Sequence, residues 1–166
     1  MHMTKIRAVA AMIAILLLAV SAGCTKSSTV ERVYPRENQS IESRVFVGQI
    51  KVSFATVKRN FNSKDTIPLC LQIKNTSDEV HTLNYASGQR YDFIIKNKAG
   101  DQLWQWQAGK NFALIATTTD LRPGQRQTFY QNIAPGLLKP GKYILEAQSI
   151  ADELYSETLE LNINVE

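Results

Sequence analysis

Few side chains in this sequence could carry out covalent or metal chemistry. The 166 residues contain two cysteines, Cys24 and Cys70, and two histidines, of which only His81 lies beyond the first 23 residues. A structural zinc site needs about four Cys or His ligands at short spacings, and the sequence has no Cys-x-x-Cys pair. Gly-x-Ser-x-Gly, glycine-rich phosphate-binding and His-Glu-x-x-His motifs are also missing. The sequence therefore predicts a protein that is not an enzyme and that binds no metal or cofactor.

The residues before Cys24 are typical of a cleavable signal for lipid attachment. Lys5 and Arg7 are followed by an unbroken apolar run from residue 8 to residue 20. This run is shorter than the roughly 20 apolar residues that a membrane-spanning helix needs, as expected of a signal peptide. The small residues Ser21-Ala22-Gly23 then precede the cysteine. The pattern resembles the lipobox of bacterial lipoproteins, although leucine is more usual than serine at its first position.

We therefore predict a signal peptide at residues 1–23 and a fatty acid such as palmitate on Cys24. The protein would be exported and anchored by this lipid to the outer face of the cytoplasmic membrane, or of another envelope membrane. An ordinary cleaved signal, or an uncleaved anchor with an incidental Cys24, is the alternative. If Cys24 is lipidated, Cys70 has no partner for an intramolecular disulfide, and we expect it to be a small packed side chain.

Charge and composition restrict the partner only weakly. Without Lys5 and Arg7 the chain has 17 basic residues against 15 acidic ones, which is too even a balance to indicate nucleic-acid binding. The 44% hydrophobic and 20% charged content is ordinary for a globular protein. The mature chain is long enough for one domain of about 100–150 residues.

The chain after the signal divides into a polar linker, residues 24–43, and one domain, residues 44–166. Apolar and polar residues alternate along several short segments of this domain, and Pro-Gly turns separate the later ones. The segments are residues 50–55, 67–74, 91–95 and 159–166, and the turns are residues 122–125 and 139–142. This pattern predicts an all-β fold, an antiparallel immunoglobulin-like β-sandwich of about seven to nine strands, preceded by a signal peptide helix and a flexible linker.

The order of motifs in this domain resembles the BsuPI-type intracellular proteinase inhibitor family, over about residues 52–150. The resemblance depends on a Ser-Gly-Gln-x-Tyr-Asp-Phe strand, a Trp-x-Trp strand and two later Pro-Gly turns. The residues that carry it include Ser87, Gly88, Gln89, Tyr91, Asp92, Trp104, Trp106, Pro123, Gly124, Pro140 and Gly141. The resemblance implies inhibition of a serine protease.

Combined with the signal, this resemblance predicts a membrane-anchored extracytoplasmic proteinase inhibitor or protease-regulating domain. The alternative is a non-inhibitory protein-interaction module of the cell envelope. The partners are then the membrane, through Cys24, and either a serine protease or another envelope protein, with no nucleic acid.

We expect the family motif to be structural. Tyr91, Trp104 and Trp106 recur at strand spacing and are expected to pack in the core. Asp92 points the opposite way from Tyr91 and is expected to accept hydrogen bonds from loop amides. Ser87-Gly88 is expected to mark a bulge or a position with positive φ.

Two connections are long enough to reach a partner: residues 107–111 and residues 132–139. We favour the second as a candidate interaction loop, because its prolines limit its freedom and two adjacent leucines could be exposed. Its residues are Ala134, Pro135, Gly136, Leu137 and Leu138. The alternative is that these leucines close one end of the sandwich.

Overall fold

The computed structural model describes residues 40–166, and β-strands make up most of this part of the chain. They are β1 (Ile41–Val47), β2 (Ile50–Thr56), β3 (Asn60–Phe61), β4 (Ile67–Asn75), β5 (His81–Tyr85), β6 (Tyr91–Asn97), β7 (Gln102–Gln105), β8 (Thr117–Leu121), β9 (Arg126–Ile133), β10 (Gly141–Ser149) and β11 (Thr158–Val165). Alternation of buried and more exposed residues is clear in β4, where Leu69, Leu71 and Ile73 are buried and the residues between them are partly exposed.

The strands form two larger sheets and one small one. The first sheet has the order β1-β2-β4-β9, and the second has the order β3-β11-β10-β6-β7. β5 and β8 form a separate pair. Every pair is antiparallel except β3 with β11. The chain is therefore all-β in the described residues, as the sequence predicted.

The inner faces of the two larger sheets share one hydrophobic core. The ring centroids of Phe54 in β2 and Phe93 in β6 lie 5.8 Å apart, and both side chains are fully buried. Phe93 is paired in register with Ala147 of β10. A large side chain beside a small one lets the rings of the two sheets interdigitate without leaving a cavity.

The strand count differs from the prediction, with eleven strands in residues 40–166 against about seven to nine. β3 has only two residues, too few to show an alternating pattern. β8 is threonine-rich and has little apolar alternation, so its pairing with β5 was not predictable from hydrophobicity. β1 begins at Ile41, inside the predicted linker, and only every second residue of it is half-buried. The immunoglobulin-like arrangement stays a prediction.

The predicted signal peptide (1–23), Cys24 and residues 25–39 of the linker lie outside the described residues. Lipidation of Cys24 stays a prediction. Within residues 40–166, no helix is long and apolar enough to cross a membrane. In that same part of the chain, no three acidic, histidine or cysteine side chains are grouped as metal ligands would be.

Candidate functional site

The connection between β7 and β8 presents an exposed apolar run, and we call residues 107–116 the apolar loop. Leu114 is 92% exposed and Ile115 is 65% exposed. Their neighbours Ala113 and Ala116 are also exposed, and the chain runs from residue 110 to residue 116 without a turn or a bend. Single exposed hydrophobic residues are common, but adjacent ones on an extended segment indicate a surface for another protein.

A tight turn and a tryptophan fix the start of the apolar loop. The Lys110 amide donates a hydrogen bond to the Gln107 carbonyl over 3.0 Å, and Gly109 has a φ of 74°. The Lys110 ammonium lies 3.7 Å from the centroid of the Trp106 ring and also donates to the Trp106 carbonyl. Phe112 packs near the same indole, with ring centroids 5.7 Å apart. Residues 106–112 are therefore ordered by contacts among themselves.

Trp106 connects this turn to the core through Tyr91. The ring centroids of Tyr91 and Trp106 are 4.2 Å apart, and Tyr91 also stacks on Phe129 at 4.6 Å. Tyr91, Trp104 and Trp106 are only partly buried, although the sequence predicted all three in the core. Trp104 lies in β7, an edge strand of the second sheet, and Trp106 follows it in the turn, so neither tryptophan is covered on all sides.

The loop is held from one side by residues 87–92, which we call the bracing segment. The Gly88 amide donates to the Ala113 carbonyl over 2.8 Å. Arg90 Nη2 donates to Thr117 Oγ1 over 2.6 Å, and Thr117 is the first residue of β8. Both contacts come from the bracing segment, and the residues between the two contact points are Leu114, Ile115 and Ala116. The most exposed part of the loop therefore has a fixed point on each side.

Gly88 lies close against the backbone of Ala113 and has no unusual backbone angle. The positive φ expected there is not found, and Gly88 lies in the connection between β5 and β6 rather than in a strand bulge. A Cβ on Gly88 would lie 3.6 Å from both the amide nitrogen and the carbonyl oxygen of Ala113. Its backbone thus lies directly against the apolar loop.

Arg90 is held in place by the core beneath it. Its guanidinium carbon lies 4.2 Å from the centroid of the Tyr85 ring, which is almost completely buried. Arg90 Nη1 also donates to the Ser87 carbonyl over 2.9 Å. The planar guanidinium can stack and donate in two directions at once, so this one side chain links the core, the bracing segment and β8.

Asp92 holds the first residue of the apolar loop. Its Oδ1 accepts the amides of Phe93 (3.0 Å) and Gln107 (3.1 Å), and its Oδ2 accepts Gln105 Nε2 over 2.5 Å. Burial raises the pKa of Asp92 above its ordinary value, and these three hydrogen bonds oppose the rise. Gln89 Nε2 adds a 2.8 Å hydrogen bond to Gln107 Oε1. Asp92 thus accepts a loop amide as expected, but from the apolar loop and not from residues 87–89.

The favoured candidate loop, Ala134 to Leu138, has a different geometry. Leu137 is 47% exposed, whereas Leu138 is 6% exposed and belongs to the core. Gly136 has a φ of 77°, and its amide donates to the Ser63 carbonyl over 2.8 Å. The segment is a tight turn that directs one leucine inward, so it presents a single exposed leucine instead of an extended apolar run.

Within residues 40–166, the cysteine and the histidine that could have been reactive both lie in strands. Cys70 is half-buried in β4, and this burial raises the pKa of its thiol to about 11. The thiolate is therefore scarce at neutral pH, and the thiol is a weak nucleophile. His81 is the first residue of β5. The site that the structure supports is a binding surface, because the residues gathered around the apolar loop supply shape, hydrogen bonds and apolar area.

Sequence reasoning missed Leu114 and Ile115. The predicted connection, residues 107–111, ends just before the apolar run of residues 112–116. That run was itself a signal, because five apolar residues without alternation or a following turn do not fit a half-buried strand. The contacts from the bracing segment, which keep the run extended, had no signal in the sequence.

Several solved structures are distantly similar to this chain, and the chain spans one sixth to one half of the length of those named here. A β-glucosidase from Erythrobacter marinus has 13% sequence identity and a TM-score of 0.39, covering 76% of this chain and 16% of its own. A β-glucosidase from Listeria innocua has 11% identity and a TM-score of 0.39, covering 70% and 16%. The sporulation control protein Spo0M from Bacillus subtilis has 12% identity and a TM-score of 0.42, covering 72% and 50%. No curated protein matches the chain significantly.

A protein-family model matches residues 54–154, from β2 to the turn before β11, and its description is intracellular proteinase inhibitor. The word intracellular contradicts the predicted localisation, an exported protein anchored to the outer face of a membrane, and we correct that prediction. It depended on residues 1–24 alone, which lie outside the match. The match covers well over half of the chain and includes both the bracing segment and the apolar loop. The chain therefore belongs to the BsuPI family of proteinase inhibitors.

Proposed function

We propose that this protein inhibits a serine endopeptidase and that the apolar loop enters the active-site cleft of its target as an extended segment. The observation that carries the proposal is the exposure of Leu114 on a segment without a turn or bend and with a fixed point on each side. Membership of a proteinase inhibitor family supports the type of partner.

The geometry of the loop suits a protease cleft. Extended peptides bind to such clefts by adding a strand, with main-chain hydrogen bonds for affinity and side-chain pockets for specificity. Leu114 has the most exposed large apolar side chain of the loop, so it is the natural anchor for a specificity pocket lined by apolar groups. Ala113 and Ala116 are small, so they let the backbone approach the cleft closely.

The bracing contacts also reduce the free-energy cost of binding. A flexible loop loses conformational freedom when it is bound, at about 0.5–1.5 kcal/mol for each immobilised side chain. The hydrogen bonds at Ala113 and Thr117 restrict the loop before it meets a partner. More of the energy from burying Leu114 is then available for affinity.

The test compares one substitution in each of the two loops. The full-length protein, Leu114→Asp and the matched control Leu137→Asp are titrated against a panel of serine endopeptidases that cleave after large apolar residues. We expect inhibition by the parent protein at near-stoichiometric concentration and a loss of about 100-fold in the inhibition constant for Leu114→Asp, as for a central interface anchor. Leu137→Asp should stay within about twofold of the parent, because Leu137 lies on a different connection.

Equal losses for both variants would contradict the proposed loop. If the parent inhibits no protease in the panel, the inhibitor proposal fails. The alternative, a non-inhibitory protein-interaction module, would then account for the exposed apolar run.

A further inference from the structure

We propose that Arg90 is the positioning residue that makes the apolar loop an inhibitor rather than a substrate, with the Leu114–Ile115 peptide bond placed at the catalytic nucleophile. This inference rests on the proposed function. The observation behind it is that the Arg90 side chain connects the segment that holds Ala113, on one side of that bond, with Thr117, on the other side.

The geometry places Arg90 between the two halves of the loop. Its Nη1 donates to the Ser87 carbonyl, next to the residue whose amide holds Ala113. Its Nη2 donates to Thr117 Oγ1, beyond the exposed residues. The guanidinium rests on the buried Tyr85 ring, so the core supports the group that makes both contacts. Arg90 therefore fixes the separation of the two ends of the exposed segment.

This separation matters once a protease attacks the loop. The serine Oγ of the protease forms a bond to the Leu114 carbonyl carbon, the bond to the Ile115 nitrogen breaks, and that nitrogen takes up the serine proton to become an amine. In an ordinary substrate the amine departs and water attacks the ester. Here the amine belongs to a segment that is fixed two residues later, at Thr117. The amine stays beside the ester, attacks it and re-forms the peptide bond, and the serine regains its proton.

The effective concentration of a held amine explains why religation can exceed hydrolysis. Groups fixed next to each other react as if present at concentrations far above those attainable in solution. Pairing of β8 with β5 already holds the backbone from Thr117 onward. Arg90 adds the connection between that strand end and the bracing segment, so removal of its two donors should loosen the Ile115 side of the bond.

The experiment measures the lifetime of the loop as well as inhibition. Arg90→Met keeps an apolar stem over Tyr85 and removes both donors, whereas Thr117→Val removes only the hydroxyl acceptor. Thr118→Val is the matched control, because Thr118 is exposed on the opposite face of β8. Each full-length variant is incubated with a protease that the parent inhibits, and cleavage between residues 114 and 115 is followed by mass spectrometry. Urea unfolding confirms that each variant is folded.

We expect Arg90→Met and Thr117→Val to inhibit at first within about fivefold of the parent and then to be cleaved at least about 10-fold faster, because the amine is then held less closely beside the ester. Thr118→Val should behave as the parent does. Folded Arg90→Met or Thr117→Val protein that resists cleavage as long as the parent would overturn the role of Arg90 while leaving the inhibitor proposal intact. If Arg90→Met does not fold, Thr117→Val alone decides. A parent protein that inhibits no protease refutes the proposed function itself.

Discussion

The two connections that follow β7 and β9 contain similar residues and present them in opposite ways. The first has the adjacent apolar pair Leu114 and Ile115, and the second has Leu137 and Leu138. Leu114 is 92% exposed, whereas Leu138 is 6% exposed and packs in the core. Composition alone does not distinguish them.

The difference comes from what each backbone is bonded to. Gly136 adopts a positive φ, and the Leu137 amide donates to the Ala134 carbonyl, which closes the second connection into a turn. The Gly136 amide also donates to the Ser63 carbonyl, and Leu138 is buried just after the turn. The apolar loop bonds instead to Gly88 and Arg90, which lie beside it, and residues 110–116 contain no turn or bend. Leu114 lies between these two contact points and is exposed.

The largest expected effect that separates the two loops is on stability. Leu138→Ala should lower the free energy of unfolding by about 2–5 kcal/mol, because it removes a buried side chain and leaves a cavity. Leu114→Ala should change it by less than about 0.5 kcal/mol, because the side chain is already in water. Urea denaturation of both variants with the parent measures the two values. A loss above about 1 kcal/mol for Leu114→Ala would mean that this leucine packs against the domain.

The strands could be predicted from the sequence where alternation of apolar and polar residues within one short segment identifies them. In β11, Leu159, Leu161 and Ile163 alternate with exposed or half-buried polar residues, and the period of two is enough to identify the strand and its inner face. The same reasoning failed for β3, since a pair of residues has no period. It failed for β1 because only one face of this edge strand is partly covered, so the alternation is weak.

The candidate site could not be predicted in the same way because its contacts are long-range. Gly88 meets Ala113, and Arg90 meets Thr117, across more than 20 residues of sequence. The Ser-Gly-Gln motif was visible, but nothing in the sequence showed which segment it touches. The same holds for Asp92, whose acceptor role was expected although its donor, Gln107, was not. The residue type of Asp92 predicted that it accepts hydrogen bonds, but the folded structure was needed to identify Gln107 as the donor.

A smaller effect is expected at Asp92, which holds the apolar loop and has no counterpart in the other connection. Asp92→Ala leaves the Gln107 amide without its acceptor in a partly buried place, and should cost about 1–3 kcal/mol of stability. Asp92→Asn keeps an acceptor for the amides of Gln107 and Phe93, and the Gln105 amide can rotate to match it. We therefore expect Asp92→Asn to stay within about 1 kcal/mol of the parent at pH 7 in urea denaturation.

The pH dependence of the same pair of proteins tests the burial of Asp92. Its pKa is raised in the folded protein because burial disfavours the carboxylate, so the folded state binds the proton more tightly than the unfolded state does. The associated stability is fully present below the unfolded pKa of 3.8 and is lost as pH rises through the folded pKa. As pH rises through this window, the free energy of unfolding of the parent should fall relative to that of Asp92→Asn. Parallel pH profiles for the two proteins would be the contrary result.

The smallest expected effect compares a glycine in each connection. Gly109 and Gly136 have φ values of 74° and 77°, and a Cβ built on either one meets no atom within 4 Å. Alanine at each position should therefore cost the same amount, about 1 kcal/mol for a left-handed backbone, in urea denaturation. Only Gly109→Ala should also weaken inhibition, because its turn sets the start of the apolar loop beside Trp106. Weaker inhibition by Gly136→Ala at equal stability would instead assign a role in binding to the second connection, and the two loops would then share the partner.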